Sequence, residues 1–317
     1  MELLVQIVLL VAGFFLLIKG ADWFVEGASK LADKFGIPQL VIGLTIVAFG
    51  TSAPEAAVSI SAALKGNEAV ALAIGNVVGS NIINLLLILG ITATITPLVV
   101  QKSTLQYEIP YVIFISIVLP VLGYFDGTVS RVDGLVLAAL MVVYMLYLLR
   151  AAKNGNTVVE EIEESSDNDS LIKMIVMIVL GLGMIVLGSD VTVDAASALA
   201  VAFGMSERLI GLTIVAFGTS LPELITSVTA AIKGKADIAI GNIVGSNIFN
   251  ILFVLGIAAI ITPIGYAASF KIDSIVMIAA AVLLLICVAN KERKLKRWGG
   301  IAMLSGCVVY FVYLFQS

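Results

Sequence analysis

Apolar runs of membrane-spanning length follow one another along almost the whole chain. A helix of roughly 20 residues crosses the hydrocarbon core, and ten such runs are read, at about 3–20, 38–64, 70–96, 108–124, 132–151, 171–188, 208–232, 237–262, 272–290 and 298–315. In lipid every segment must satisfy its own backbone hydrogen bonds, which makes each run a helix. The expected fold is therefore an all-α polytopic membrane protein with ten transmembrane helices. Charged residues make up only 13% of the chain, about half the share found in soluble domains. The first run is flanked by Glu2 with no Lys or Arg, and no small-residue cleavage pattern follows it. It reads as a retained helix, not a signal peptide.

The chain is also duplicated. Gly43–Glu55 reads GLTIVAFGTSAPE and Gly211–Glu223 reads GLTIVAFGTSLPE, identical at twelve of thirteen positions and 168 residues apart. GADWFVEGA at Gly20–Ala28 matches GSDVTVDAA at Gly188–Ala196 at the same offset. GNVVGSNIIN at Gly75–Asn84 matches GNIVGSNIFN at Gly241–Asn250, eight of ten identical, at an offset of 166. Each half holds five spans. Five is odd, so the second half enters the membrane from the opposite side, giving two inverted five-helix repeats of the kind common in secondary transporters. The expected boundaries are 1–151 for the first repeat, 152–170 for a linker and 171–317 for the second repeat.

Orientation follows from basic residues. The side that holds the 152–170 segment carries fourteen of the 18 Lys and Arg residues, and the side that holds both termini carries four. The positive-inside rule puts 152–170 in the cytoplasm and both termini outside a cell membrane that the chain crosses many times. The 152–170 segment holds six acids and no aromatic residue, which reads as a solvated connector. It lacks the ligand spacing of an EF-hand loop.

Two acids stand out against this background. Glu55 and Glu223 lie mid-span, each directly after a proline, Pro54 and Pro222. An acid at the bilayer centre costs about 3 kcal/mol and persists where it faces a cavity or a positive partner. No intramembrane Lys or Arg is evident beside either acid, so the simplest partner is a cation. Each proline removes a donor and clashes with the carbonyl four residues earlier, at Gly50 and Gly218. The break exposes carbonyl oxygens, with the hydroxyls of Thr51, Ser52, Thr219 and Ser220 beside it. Ser80 and Asn84, and Ser246 and Asn250, are spaced i, i+4 and share a helix face. This is oxygen-only ligation for hard cations. The chain has no histidine, and its two cysteines, Cys287 and Cys307, form no metal spacing.

Structural readings stand beside these, beginning with Glu55 and Glu223 as protonated, hydrogen-bonded structural acids. The hydroxyls serve equally to back-bond helix carbonyls. Asn84 and Asn250 are either ligands or interhelical hydrogen-bonding residues. The Gly75–Gly79 and Gly241–Gly245 pairs read as close helix packing. Asp22 and Asp190, at the expected ends of the first and sixth spans, read as interfacial or capping residues.

Paired GTSxPE and GNxxGSNIxN blocks resemble the two repeats of the cation/calcium antiporter superfamily, in its sodium/calcium exchanger branch, over nearly the whole chain. The resemblance implies Na+/Ca2+ antiport by alternating access, with the first and sixth helices moving against a core. It implies ion ligands at Thr51, Ser52, Glu55, Ser80, Asn84, Thr219, Ser220, Glu223, Ser246 and Asn250, with the carbonyls of Ala48 and Ala216. No cofactor is implied. The expected partners are Ca2+, Na+ and the lipid bilayer, with no nucleic acid, and the chain is read as working as a monomer. The potassium-dependent branch has an acid where Asn250 stands, which argues against potassium transport. A proton-coupled calcium antiporter and a cation channel are the rival readings. An intramembrane enzyme is weakest, because no Ser-His pair, His-Glu-x-x-His pattern or nucleophilic Cys setting is present.

Overall fold

The computed structural model describes residues 2–66, 71–154, 170–204, 216–267 and 269–316. Most of the 152–170 linker, the start of the seventh expected span, and Arg208 lie outside the described residues. Among the described residues eight helices are long and apolar enough to cross a membrane. They are α1 (Leu3–Phe35), α3 (Leu72–Ile95), α4 (Thr104–Tyr124), α5 (Arg131–Lys153), α6 (Leu171–Ala202), α8 (Ala236–Ile261), α9 (Phe270–Val288) and α10 (Arg297–Leu314). A ninth span, α2, is a bent pair, Gln39–Thr51 and Ala53–Lys65, turned by 51° at Ser52. The tenth, α7, is described as Ala216–Gly218 and Leu221–Ile232.

Most boundaries fall within a few residues of expectation, but α1 and α6 do not. They run on to Phe35 and Ala202, well past the ends expected near residues 20 and 188. A helix of 34 residues is about 50 Å long, far more than the bilayer core requires. Asp22 and Asp190 therefore sit inside helices and cap nothing. Asp22 pairs with Lys233 at 2.6 Å, and Asp190 is exposed on α6. Hydropathy ends a span at the first charges, whereas the helix continues because its other face still has a neighbour.

That neighbour is the other long helix. α1 and α6 run antiparallel along a seam of glycines spaced seven apart, Gly13 and Gly20 facing Gly188 and Gly181. A Cβ on Gly20 would stand 2.7 Å from the Gly181 carbonyl oxygen, and one on Gly181 would stand 2.8 Å from that of Gly20. Only glycine allows this approach, the small-residue packing that lipid-embedded helices use. The two long helices are the least enclosed of the eight, and α3 and α8 the most.

The halves are interlocked. α3 of the first half packs on α10 of the second, and α8 of the second packs on α5 of the first. The contacts are equivalent: a Cβ added to Gly300 would stand 2.7 Å from the Gly90 carbonyl oxygen, and one added to Gly134 would stand 2.7 Å from that of Gly256. Two short antiparallel ribbons repeat the exchange. β1 (Leu98–Val99), after α3, pairs with β4 (Lys294–Leu295), before α10, and β2 (Thr128–Val129), after α4, pairs with β3 (Ile264–Gly265), after α8. An offset of 166 turns β1 into β3 and β2 into β4. Even the backbone follows, since Gly127 and Arg293, one offset apart, both have positive φ, 64° and 49°.

Candidate functional site

Each expected helix break is present, and each falls on a serine. Ser52 has φ −83° and ψ 8°, and Ser220 has φ −91° and ψ 2°. Pro54 and Pro222 then occupy the first turn of the helix that follows, where a missing N–H costs nothing, and the acids Glu55 and Glu223 fall in that same turn. Both acids are completely buried. Among the described residues no Lys or Arg is buried.

The two breaks face each other and cross-bond. Ser52 Oγ, from α2, donates to Glu223 Oε1 at 2.8 Å. Ser220 Oγ, from α7, reaches Glu55 Oε1 at 3.5 Å, and Ser80 Oγ, from α3, reaches the same oxygen at 3.5 Å. The second oxygen of each carboxylate, Oε2, is buried without a hydrogen-bond partner. So are Thr219 Oγ1, Asn250 Oδ1 and both polar atoms of Asn84. Orphaned buried atoms are scarce in folded proteins and call for an explanation. These six atoms lie on the four helices that carry the duplicated motifs.

The remaining expected residues divide. Thr51 Oγ1 donates to Asn242 Oδ1 at 2.9 Å and lies 3.4 Å from the Ala48 carbonyl. The Ala48 carbonyl already accepts the Ser52 N–H at 3.0 Å and stands 3.5 Å from Ser246 Oγ. Across the pseudo-symmetry, Ser220 N–H bonds Phe217 O at 3.1 Å instead of the Ala216 carbonyl. The carbonyl that Pro222 leaves without a donor, Gly218 O, accepts Ser189 Oγ from α6 at 2.9 Å. Asn250 Nδ2 donates to Asn81 Oδ1 at 3.1 Å, so Asn250 does join helices, while Asn84 makes no such bond. Gly241 and Gly245 hold α8 against the backbone of α2, where a Cβ added at Gly245 would stand 2.8–2.9 Å from Leu44 backbone atoms. Gly79 meets nothing within 4 Å, so close packing describes the second glycine pair and not the first.

Sequence reasoning passed over a supporting layer. Asn76 Nδ2 donates to the Glu55 carbonyl and to Ser59 Oγ, at 3.3 and 3.0 Å. Asn242 Nδ2 donates to the Glu223 carbonyl and to Ser227 Oγ, at 3.4 and 2.9 Å. The two sets are the same construction in each half, and they fix the turn from which each carboxylate projects. The signal was available: Asn76 and Asn242 belong to the duplicated block, one offset apart.

A pair of buried carboxylates at the break of two inverted helices, bordered by serine, threonine and asparagine side chains, fits a membrane transporter of small cations. The comparisons are specific. The family described as "Sodium/calcium exchanger protein" matches residues 5–150 and 173–316, and the chain belongs to the sodium/calcium exchanger family. It is 41% identical to the "Putative antiporter CaxA" of Alkalimonas amylolytica over 325 residues, 99% of this chain and 100% of that one. It is 34% identical to the "Sodium/calcium exchanger MaX1" of Methanosarcina acetivorans, covering 98% and 99%. The inner membrane protein YrbG of Escherichia coli is 37% identical over 99% of this chain and 98% of its own. Among solved structures, the sodium-calcium exchanger NCX_Mj, studied with zero Na+ and Ca2+, superposes with a TM-score of 0.84 at 32% identity, over 98% of this chain and 99% of that one. The ten-span, twofold-repeated fold expected from the apolar runs is that of this family. The protein is a multi-pass membrane transporter and not an enzyme.

Proposed function

We propose that the chain exchanges Na+ for Ca2+ through the site between Glu55 and Glu223. The observation that carries this reading is the carboxylate pair: two fully buried acids, each with one oxygen held by a serine of the other half and one oxygen without a partner. Two uncompensated negative charges in a low-dielectric space need positive charge between them. One Ca2+ or two Na+ supplies it. Glu55 and Glu223 are the primary ligands in this reading, joined by Thr51, Ser52, Ser80, Asn84, Thr219, Ser220, Ser246, Asn250 and the carbonyls of Ala48 and Ala216. The neutral oxygens exceed what two Na+ need. A third Na+ therefore binds among them, and exchange against one Ca2+ moves one positive charge. At about 2.3 kcal/mol per charge per 100 mV, an inside-negative potential favours sodium entry and calcium export.

Alternating access follows from the architecture. The ion ligands sit in the interlocked core, while α1 and α6 lie on the outside along their own glycine seam. The site is complete within one chain, so a monomer suffices. The repeats divide at 1–151 and 171–317, with 152–170 cytoplasmic and both termini outside. A cysteine at Asn156 would then be labelled from the cytoplasm only, and one at Ser317 from outside only.

The test is calcium uptake into liposomes driven by an imposed sodium gradient, with voltage clamped. Uptake that follows sodium and responds to voltage is expected, unchanged when potassium is replaced by choline because Asn250 supplies no charge. Uptake driven by a pH gradient without sodium would support the proton-coupled rival. Sodium-driven flux indifferent to voltage would remove the third sodium.

A further inference from the structure

Besides Glu55 and Glu223, one other acid is buried among the described residues, and the exchange site does not use it. Glu108, on α4, is 2% exposed. One carboxylate oxygen, Oε1, accepts the hydroxyl of Tyr147 from α5. The other, Oε2, is buried without a partner, as are the hydroxyl of Tyr144 and those of Ser103 and Thr104 in the preceding turn. A lone buried carboxylate is costly unless something compensates it. Its supply of hydrogen-bond acceptors is half used.

Glu108 also lines a cavity. A space of about 380 Å³ opens between α4 and α5, walled by Tyr107, Tyr111, Tyr144, Tyr147 and Phe114. The rings form a continuous wall: Tyr111 and Tyr144 stack at 5.3 Å, and Tyr144 and Tyr147 at 6.2 Å. It adjoins a larger cavity of about 690 Å³ whose lining shares Tyr107, Glu108 and Tyr147 and adds Lys102, Arg150 and Arg293. The backbone singles out the same place. Among the described residues there are four π-helical segments, Gly43–Val47, Ile83–Ile88, Asn250–Leu255 and Thr104–Glu108. The first opens a motif block of the exchange site, the second and third begin in the last residues of the other block, and the fourth ends at Glu108. Such widened turns occur often at functional sites.

We propose that the α4–α5 cavity binds a single ammonium group, paired with Glu108 and bordered by tyrosine faces. A carboxylate behind aromatic faces is the chemistry that holds alkylammonium ions, through charge and cation–π attraction together. A bare metal ion would meet a single carboxylate here beside aromatic rings, whereas an ammonium group brings N–H donors to that carboxylate and leaves an alkyl tail to the rings. The basic residues around the adjoining cavity set the selectivity. They repel a second positive charge, so the ligand carries one ammonium and a neutral or acidic remainder, and polyamines are excluded. The ammonium group comes either from a free amine or from an aminophospholipid headgroup.

Titration of the full-length protein in detergent with n-butylammonium, followed by calorimetry and tyrosine fluorescence, tests this. Saturable binding is expected, with spermidine binding no tighter. Glu108→Gln should weaken binding by about tenfold or more, as loss of a buried charge partner does. Sodium-driven calcium exchange by the same variant shows that it is folded. If Glu108→Gln does not fold, Tyr147→Phe keeps the ring and removes the hydroxyl that holds Oε1, and should weaken binding by about threefold. Repeating the titration in nanodiscs separates the sources: phosphatidylethanolamine, but not phosphatidylglycerol, abolishes butylammonium binding if the headgroup is the occupant, and neither does if a free amine is. No saturable binding by the wild-type protein, or equal binding by Glu108→Gln, overturns the proposal and leaves Glu108 a structural acid.

Discussion

Ser52 Oγ donates to Glu223 Oε1 at 2.8 Å, whereas its counterpart one repeat away, Ser220 Oγ, stands 3.5 Å from Glu55 Oε1. The same bond is thus tight in one direction across the site and slack in the other. A hydrogen bond to a charged group contributes about 1.5–3 kcal/mol when well formed and little near the distance limit. Ser52→Ala should therefore raise the calcium concentration needed for half-maximal exchange by about tenfold or more. Ser220→Ala, which removes a slack bond to its carboxylate, should raise it by less than Ser52→Ala does. Equal effects from the two substitutions, in the same liposome assay, would show that the asymmetry is not functional.

Glu55→Gln and Glu223→Gln each keep size and remove charge. Exchange should fall below about 1% of wild type, since a buried cation loses half its counter-charge. Monodisperse elution and an unchanged or raised melting temperature should accompany the loss, because two buried charges in proximity are replaced by one. Near wild-type exchange by either purified variant would refute its role as a primary ligand.

The glycine seam gives a paired test within one helix. At Gly181 an added Cβ stands 2.7–2.8 Å from backbone atoms of α1, while at Gly183 it meets nothing within 4 Å. Gly181→Ala forces the helices apart, at a cost of about 1–3 kcal/mol, and should slow exchange strongly. Gly183→Ala should leave both the melting temperature and the exchange rate within error of wild type. Slowed exchange in both variants would point to helix propensity and not to the seam.

Lys233, just after α7, bonds Asp22 Oδ1 at 2.6 Å and the Asp22 carbonyl at 3.1 Å, and stands 3.7 Å from Glu26 Oε2. These groups are partly exposed, so the pairing contributes less than about 1 kcal/mol to stability. It ties α1 to the end of a core helix, so the expected consequence is kinetic. Lys233→Met should speed exchange at low ionic strength and abolish its acceleration by added choline chloride, with melting unchanged. A rate that still rises with salt in the variant would place the salt effect elsewhere.

Much of this molecule was legible in the sequence because lipid leaves so few options. Ten apolar runs, an odd number of spans per repeat and two prolines beside two acids lead to the fold and to the broken helices. What escaped was whatever depends on neighbours in space. The extra turns of α1 and α6 were hidden because hydropathy weighs Asp22 and Asp190 without knowing that the opposite face is packed. Asn76 and Asn242 lie within a repeated block, yet in sequence an amide that holds a backbone carbonyl looks no different from one that faces an ion. Ser189 has Ala21 as its counterpart in the first repeat, so duplication gave no sign of it. Its bond to Gly218 O takes up a carbonyl that the proline rule alone would have left free. Glu108 stands at the edge of its apolar run, where an acid is commonplace. The structure starts α4 at Thr104 and carries that acid inward.

The two ribbons, β1 with β4 and β2 with β3, bear on ancestry. Each joins a strand that follows the third or fourth helix of one repeat to its complement in the other, and the 166-residue offset exchanges one ribbon for the other. Had the repeats been separate, identical chains, the two ribbons would be one contact made twice about a twofold axis, the self-complementary interface that closes a dimer. A five-helix forebear able to insert either way up would already have formed both, with the packing of Gly90 on Gly300 and of Gly256 on Gly134 as the same contact seen from each partner. Fusion of two such genes would then have preserved an assembly that existed before the linker, leaving the copies free to diverge into unequal roles.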